Sequence, residues 1–340
     1  LALDLSRVMD RKTKIVRKLG KGVENLIKAS KVDIHQGFGR LAGKGKVSVT
    51  ATDGKVTTLE AKNILVATGS APRLLPGLKT DGRRVVTSDE ILELKEIPKH
   101  LIVLGAGAVG VEFASIFHRF GSKVTIVEML ARVVPLEDEE ISAELAKILR
   151  KQGMTIHTGV MASNIKVTAD KVTADLVPAQ GAQGAPGAIE GDLLLVAVGR
   201  RPLTDDLGLT GTGVKLDKGY VVVDGYMRTG EPGLYAIGDI VNTPLLAHVA
   251  SAEGILAVEH MAGREVRPLN YDHVPGATYC EPEVASVGLA EAKAKERGFD
   301  VKVGRFPFSH SSKAPILGAT DGFVKVVADA KYGELLGVHI

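Results

Sequence analysis

Apolar positions at Leu5, Val8, Ile15, Leu19, Val23 and Leu26 recur at near-helical spacing and predict an opening helix. Further on, short apolar runs alternate with amphipathic stretches, the pattern of parallel sheets joined by crossover helices, so the chain reads as α/β. Residues 46–50 and 57–61 read as paired strands around the Asp53-Gly54 turn, and residues 63–67 as a buried strand ending in Thr68-Gly69-Ser70. Pro72, Pro76 and Gly77 break the pattern, a short helix around 88–94 leads to Pro98, and a domain boundary is expected near residue 96. A second unit opens with a strand at 101–104 and carries helices at about 109–120 and 138–151. Ile141, Leu145, Ile148 and Leu149 stripe the latter, and Gly153 stops it. Residues 178–188, rich in Gly, Ala, Pro and Gln, read as a surface loop. Strands at 220–223 and 234–237 precede a helix after Pro244, and from about 270 the chain is strand-rich with one helix near 289–297.

Length and composition narrow the classes. At 340 residues the chain has room for two or three domains. Its 45% hydrophobic and 24% charged content excludes disordered and collagen-like chains. The 39 glycines exceed the usual share of about 7%, which points to tight turns or close backbone approach to ligands. The formal charge of +3 is spread without a basic block, so neither nucleic acid nor membrane is an expected partner. The longest apolar run, 193–198, falls far short of the roughly 20 residues a membrane helix needs. One cysteine, Cys280, excludes an internal disulfide and is compatible with a reducing cytoplasm, the expected location. Leu1 in place of Met and a strand pattern running to Ile340 make both ends read as cut.

The sharpest chemical signal is Gly105-Ala106-Gly107-Ala108-Val109-Gly110, placed between the strand at 101–104 and a helix striped by Val109, Phe113, Ile116, Phe117 and Phe120. The first glycine permits a tight turn, the second lets backbone approach a pyrophosphate, and the third allows close packing of helix on strand. Gly121 ends that helix, a strand at 123–127 follows, and Glu128 closes it, 23 residues after Gly105. A carboxylate there accepts hydrogen bonds from the adenosine ribose and repels the extra phosphate of NADP, so NAD is the expected nucleotide. Glu112 lies on the apolar stripe, where either the helix dipole or a cation from elsewhere would offset its desolvation. The strands at 195–198 and 234–237 also end in loop glycines, Gly199 and Gly238, and ligands lie at such carboxyl ends. Asp239 could bind a hydroxyl or cap the next turn.

With these residues assembled, the whole chain resembles the pyridine nucleotide-disulfide oxidoreductases. The matching segments are 63–70 (NILVATGS), 105–112 (GAGAVGVE), 198–202 (VGRRP), 235–239 (YAIGD), 245–248 (LLAH), 282–288 (PEVASVG) and 320–325 (TDGFVK). The resemblance implies two Rossmann-like nucleotide-binding domains plus an α+β interface domain. The FAD domain would be 1–95 and 215–268, the NAD domain 96–214, and the dimerisation domain 269–340. It implies FAD contacts at Gly39, Thr68, Gly69, Ser70, Asp239, Leu245, Leu246, Ala247 and His248. The implied NAD contacts are Gly105, Ala106, Gly107, Ala108, Val109, Gly110, Val111, Glu112, Glu128, Val160 and Gly199. It further pairs Glu112 with a lysine preceding Leu1. The family's redox cysteine pair, its first FAD glycine motif and its His-Glu pair would also lie outside these 340 residues. No catalytic residue is then expected in the chain, no turnover by the isolated stretch, and weak flavin retention. Cys280 is expected to be a packed structural thiol. The implied activity transfers electrons through FAD to NAD from a lipoylated carrier domain of a 2-oxo acid dehydrogenase or glycine cleavage complex, in a homodimer. Reduction of glutathione or mercuric ion, soluble transhydrogenation, and a non-catalytic nucleotide-binding module remain the alternatives.

Overall fold

The computed structural model describes residues 3–179, 184 and 187–340. The chain divides into two compact units. One comprises Pro72–Gly199 and Asp272–Ile340, with the segment ending at Met9; the other comprises Asp10–Ala71 and Arg200–Tyr271. The opening helix, Leu5–Ala29, runs across this division.

At the centre of the first unit is a parallel sheet in the order Val85–Val86, Leu193–Val196, His100–Leu104, Lys123–Glu128, Thr155–Thr158. Its middle strands are buried on both faces, which is why they read as continuous apolar runs rather than alternating ones. Helices Ala108–Arg119 and Glu139–Gln152 cover one face through Val111, Phe117, Ile141, Leu145 and Leu149, packed on Leu101, Val103 and Ile126. The other face carries Ile102, Leu104, Val127 and Leu194, which pack with Val160, Val172 and Leu176 of an antiparallel sheet. That sheet consists of Val160–Val167, Val172–Pro178 and Gly187–Gly191. The expected loop at 178–188 is therefore shorter than predicted, because Pro178, Gly187 and Ala188 are ladder residues; residues 180–183, 185 and 186 lie outside the described residues.

Helix Glu139–Gln152 begins at Asp138, whose side chain accepts from Glu140 N–H, and ends at Gly153 with φ 109°. The strand-rich section forms a five-stranded antiparallel sheet in the order Gly276–Thr278, Val284–Gly288, Leu335–His339, Phe323–Asp329, Val301–Pro307. It belongs to the same compact unit as the parallel sheet. Residues 72–95 belong there too, since Val85–Val86 pairs with Leu193–Val196, whereas the sequence placed a boundary near 96. The short helix expected at 88–94 is a single 3₁₀ turn, Glu90–Glu93, tied back by Thr87, whose N–H and hydroxyl both donate to Glu90.

The second unit pairs Ile64–Val66 in parallel with Leu234–Ala236. Helix Ala247–Met261 buries Val249, Glu253, Leu256 and Ala257, and Leu256 and Ala257 pack with Met227, Tyr235 and Ile237. A separate antiparallel sheet holds Phe38–Leu41, Lys46–Thr50 and Val56–Glu60. The hairpin was expected; the strand Phe38–Leu41 beside it was not.

Candidate dinucleotide sites

In the first unit, strand His100–Leu104 feeds directly into Gly105, held at φ 99° with its N–H donating to Val127 O. A Cβ at Gly105 would collide with the Ala197 carbonyl, and one at Gly110 with the Gly105 carbonyl. The protein's own packing therefore requires both glycines. Gly107 differs: it is the extended residue that caps helix Ala108–Arg119, and a Cβ there would meet nothing within 4 Å beyond its own chain neighbours among the described residues. The cap residue has no side chain to bond the first N–H groups, which stand at the positive end of the helix dipole beside the space left at Gly107. Backbone donors, positive potential and missing side-chain bulk together fit a diphosphate.

Glu128 ends the neighbouring strand at 7% exposure. Its two oxygens accept from Ala106 N–H at 2.6 Å and Leu130 N–H at 2.7 Å. The carboxylate thus sits against the glycine turn, as the spacing predicted, already oriented by two amides. Val134 N–H donates to Ala106 O, which draws the chain after Glu128 onto the same turn.

Other members of the expected NAD set occupy varied positions. Val111 and Val160 are core side chains, 0% and 5% exposed, and contribute packing. Gly199, at φ 108°, accepts from Arg73 N–H. Glu112 accepts from Tyr279 N–H at 2.9 Å, and one turn on Ser115 Oγ accepts from Glu281 N–H at 3.0 Å. This helix face therefore meets the backbone amides of Tyr279 and Glu281, a partner class not considered from the sequence. Between those residues lies Cys280, 4% exposed, its thiol donating to Pro282 O. Burial, reinforced by the Glu112 charge, pushes that thiol up to about 12, so it is inert at neutral pH.

In the second unit, the carboxyl ends of the parallel pair bring Ser70 and Asp239 together: Ser70 Oγ donates to Asp239 Oδ2 at 2.5 Å. Arg200 donates from Nε to Ser70 Oγ at 2.6 Å and from its terminal nitrogen to Ser70 O at 2.8 Å, and stands 3.7 Å from Asp239 Oδ2. Thr68 Oγ1 donates to Leu203 O. Gly69 and Gly238 adopt φ 74° and 69°, turning the chain at both strand ends. A half-exposed carboxylate beside a hydroxyl and a guanidinium suits a polyhydroxylated chain such as the ribityl of FAD. Leu245 and Leu246 lead into the helix that starts at Ala247 and His248, while Gly39 lies in the separate antiparallel sheet. Sequence reasoning missed Arg200 as a site residue, and Glu253 entirely. The signal for Glu253 was a carboxylate among Val249, Leu256 and Ala257 on one helix face.

Residues 2–254 match the family described as pyridine nucleotide-disulphide oxidoreductase, and residues 274–340 match its dimerisation domain. The chain is 45% identical over its full 340 residues to the dihydrolipoyl dehydrogenase of Chlorobaculum tepidum, covering 72% of that protein. It is 41% identical to the Bacillus subtilis dihydrolipoyl dehydrogenase, covering 73% of it. Among solved structures, LpdA from Mycobacterium tuberculosis superposes with a TM-score of 0.91 at 28% identity, over the whole of this chain and 74% of that one. RclA, an HOCl-induced flavoprotein disulfide reductase from Escherichia coli, gives 0.86 at 29% identity, over 99% of this chain and 76% of its own.

Proposed function

The chain belongs to the pyridine nucleotide-disulphide oxidoreductase family, and on that premise we propose that it serves FAD-dependent oxidation of protein-bound dihydrolipoamide with NAD as hydride acceptor. The observation that carries this reading is end-to-end similarity, at 41–45% identity, to relatives named for that activity. The two dinucleotide sites divide the work. Amides at the start of helix Ala108–Arg119, opened by Gly107, hold the NAD diphosphate. Glu128 takes the adenosine ribose hydroxyls and repels a 2′-phosphate. Ser70 and Asp239, oriented by Arg200, hold the flavin side chain. When bound, FAD supplies the two-electron relay between dithiol and nicotinamide. Cys280, the one cysteine, cannot form a redox pair, and no dithiol chemistry is assigned to residues 1–340. A homodimer built through residues 274–340, a lipoylated carrier domain as electron donor, and a cytoplasmic setting complete the proposal, supported respectively by the dimerisation-domain match, the relatives' names, and the single thiol.

The test is steady-state kinetics of the full-length, flavin-loaded protein with dihydrolipoamide. NADH formation is expected, with NAD preferred over NADP by roughly 100-fold in kcat/KM, about 2.7 kcal/mol. Equal or better use of NADP, or no dihydrolipoamide-dependent reduction of NAD, would overturn the reading.

A further inference from the structure

Glu253 is fully buried, at 0% exposure, in the middle of helix Ala247–Met261. Such a side chain is retained in a core only where both oxygens find donors. Here Oε2 accepts from Gly238 N–H at 2.7 Å and Oε1 from the Tyr271 hydroxyl at 2.9 Å. Gly238 is the left-handed turn residue immediately before Asp239, and a Cβ there would press on Ala250 of the same helix. The turn is thus gripped from beneath by a helix side chain. Burial raises the Tyr271 hydroxyl's pKa, and its hydrogen bond to Glu253 raises it further, so it stays a donor.

We infer that Glu253, held by Tyr271, is a positioning residue that sets the Gly238-Asp239 turn in the conformation the flavin side chain requires. This rests on the assignment of Asp239 to FAD made above. Without the Gly238 bond, the turn would lose the acceptor for its part-buried amide and the constraint that aims Asp239 and, through it, Ser70. Glutamine preserves the arrangement: its carbonyl accepts from Gly238 and its amide donates to Tyr271. Methionine fills similar volume and preserves neither bond.

The experiment measures FAD dissociation constants and visible circular dichroism of the bound flavin in full-length Glu253→Gln, Glu253→Met, Tyr271→Phe and Asp239→Ala proteins. Thermal unfolding of each apoprotein and NADH binding to the glycine turn of the first unit report the fold. Glu253→Met is expected to weaken FAD binding at least about tenfold and alter the flavin dichroism, while Glu253→Gln stays within about twofold of wild type. Tyr271→Phe should fall between them, and decides the matter if Glu253→Met does not fold. Wild-type flavin affinity and dichroism in both Glu253→Met and Tyr271→Phe, with Asp239→Ala impaired, would overturn the inference and leave the flavin assignment standing. Undiminished binding in Asp239→Ala would remove the assignment itself.

Discussion

Gly105, Gly107 and Gly110 lack side chains for different reasons, and the difference can be measured. Gly105 and Gly110 are required by backbone packed against them, whereas a Cβ at Gly107 would meet nothing within 4 Å beyond its chain neighbours among the described residues. Gly110→Ala should therefore destabilise the fold by about 1–3 kcal/mol or more through overpacking, seen as a lower unfolding midpoint in denaturant. Gly107→Ala should leave that midpoint nearly unchanged yet weaken NAD binding by about tenfold or more in a calorimetric titration. If Gly107→Ala binds NAD like the parent, the diphosphate does not use that space. This turn was legible because everything it needs is local: strand, glycines, helix and Glu128 follow one another within one βαβ stretch. Arg200 and Glu253 were not. Arg200 acts on Ser70 from 130 positions away, and the roles of Glu253 on Gly238 and of Tyr279 on Glu112 exist only once distant segments are packed.

Between elements, the least expected feature of the first unit is an ion cluster around Lys325. This lysine, 1% exposed in strand Phe323–Asp329, donates to both oxygens of Asp138 at 2.9 Å and to Glu140 at 2.7 Å, and pairs with Glu291 at 2.9 Å. Arg305 forks onto Glu140 from the adjacent strand. Asp138 is also the cap of helix Glu139–Gln152, so one carboxylate serves a local and a long-range purpose. Lys325→Met would strand the Asp138 carboxylate in the interior and should cost about 3–5 kcal/mol in guanidinium unfolding; a loss under about 1 kcal/mol would show the cluster to be incidental. The cluster also fixes an acid response. The Arg305 bond, then Lys325, holds the Glu140 carboxyl at about 2, below its ordinary value near 4.5. A depressed folded value means stability that is complete above the unfolded pKa and is lost as pH falls toward the folded one. Stability should decline between about pH 5 and pH 2, and Glu140→Gln should flatten that limb in urea titrations. The helix caps Asp138 and Gly153 were readable from local pattern, as were the long apolar strands. Val85–Val86 was too short to show a period, and the hairpin ending near Gly187 was hidden by turn-rich composition.

For the molecule as a whole, the resemblance implies an FAD domain of two stretches, 1–95 and 215–268, flanking an NAD domain and followed by a dimerisation domain; by compactness the parallel sheet and the antiparallel one share one of two discontinuous units. Pattern reading locates elements well, but it cannot see that Asp138 and Lys325, 187 positions apart, share one interior. The division gives ligand binding a regional signature. NAD should slow amide exchange at residues 105–112 and 128–130 in the first unit, and FAD at 68–70 and 238–240 in the second, in mass-spectrometric exchange of the full-length protein. Protection of 238–240 by NAD with 105–112 unaffected would contradict the site assignment. The Lys325 cluster also bears on how this architecture can be recombined. Residues 274–340 look like an interchangeable cassette in sequence, yet a cut at that boundary parts Lys325 and Arg305 from Asp138 and Glu140. A chimera taking its dimerisation sheet from a relative would have to bring matching acids on the helix of the recipient, or it would be joined at a seam of unmatched interior charge.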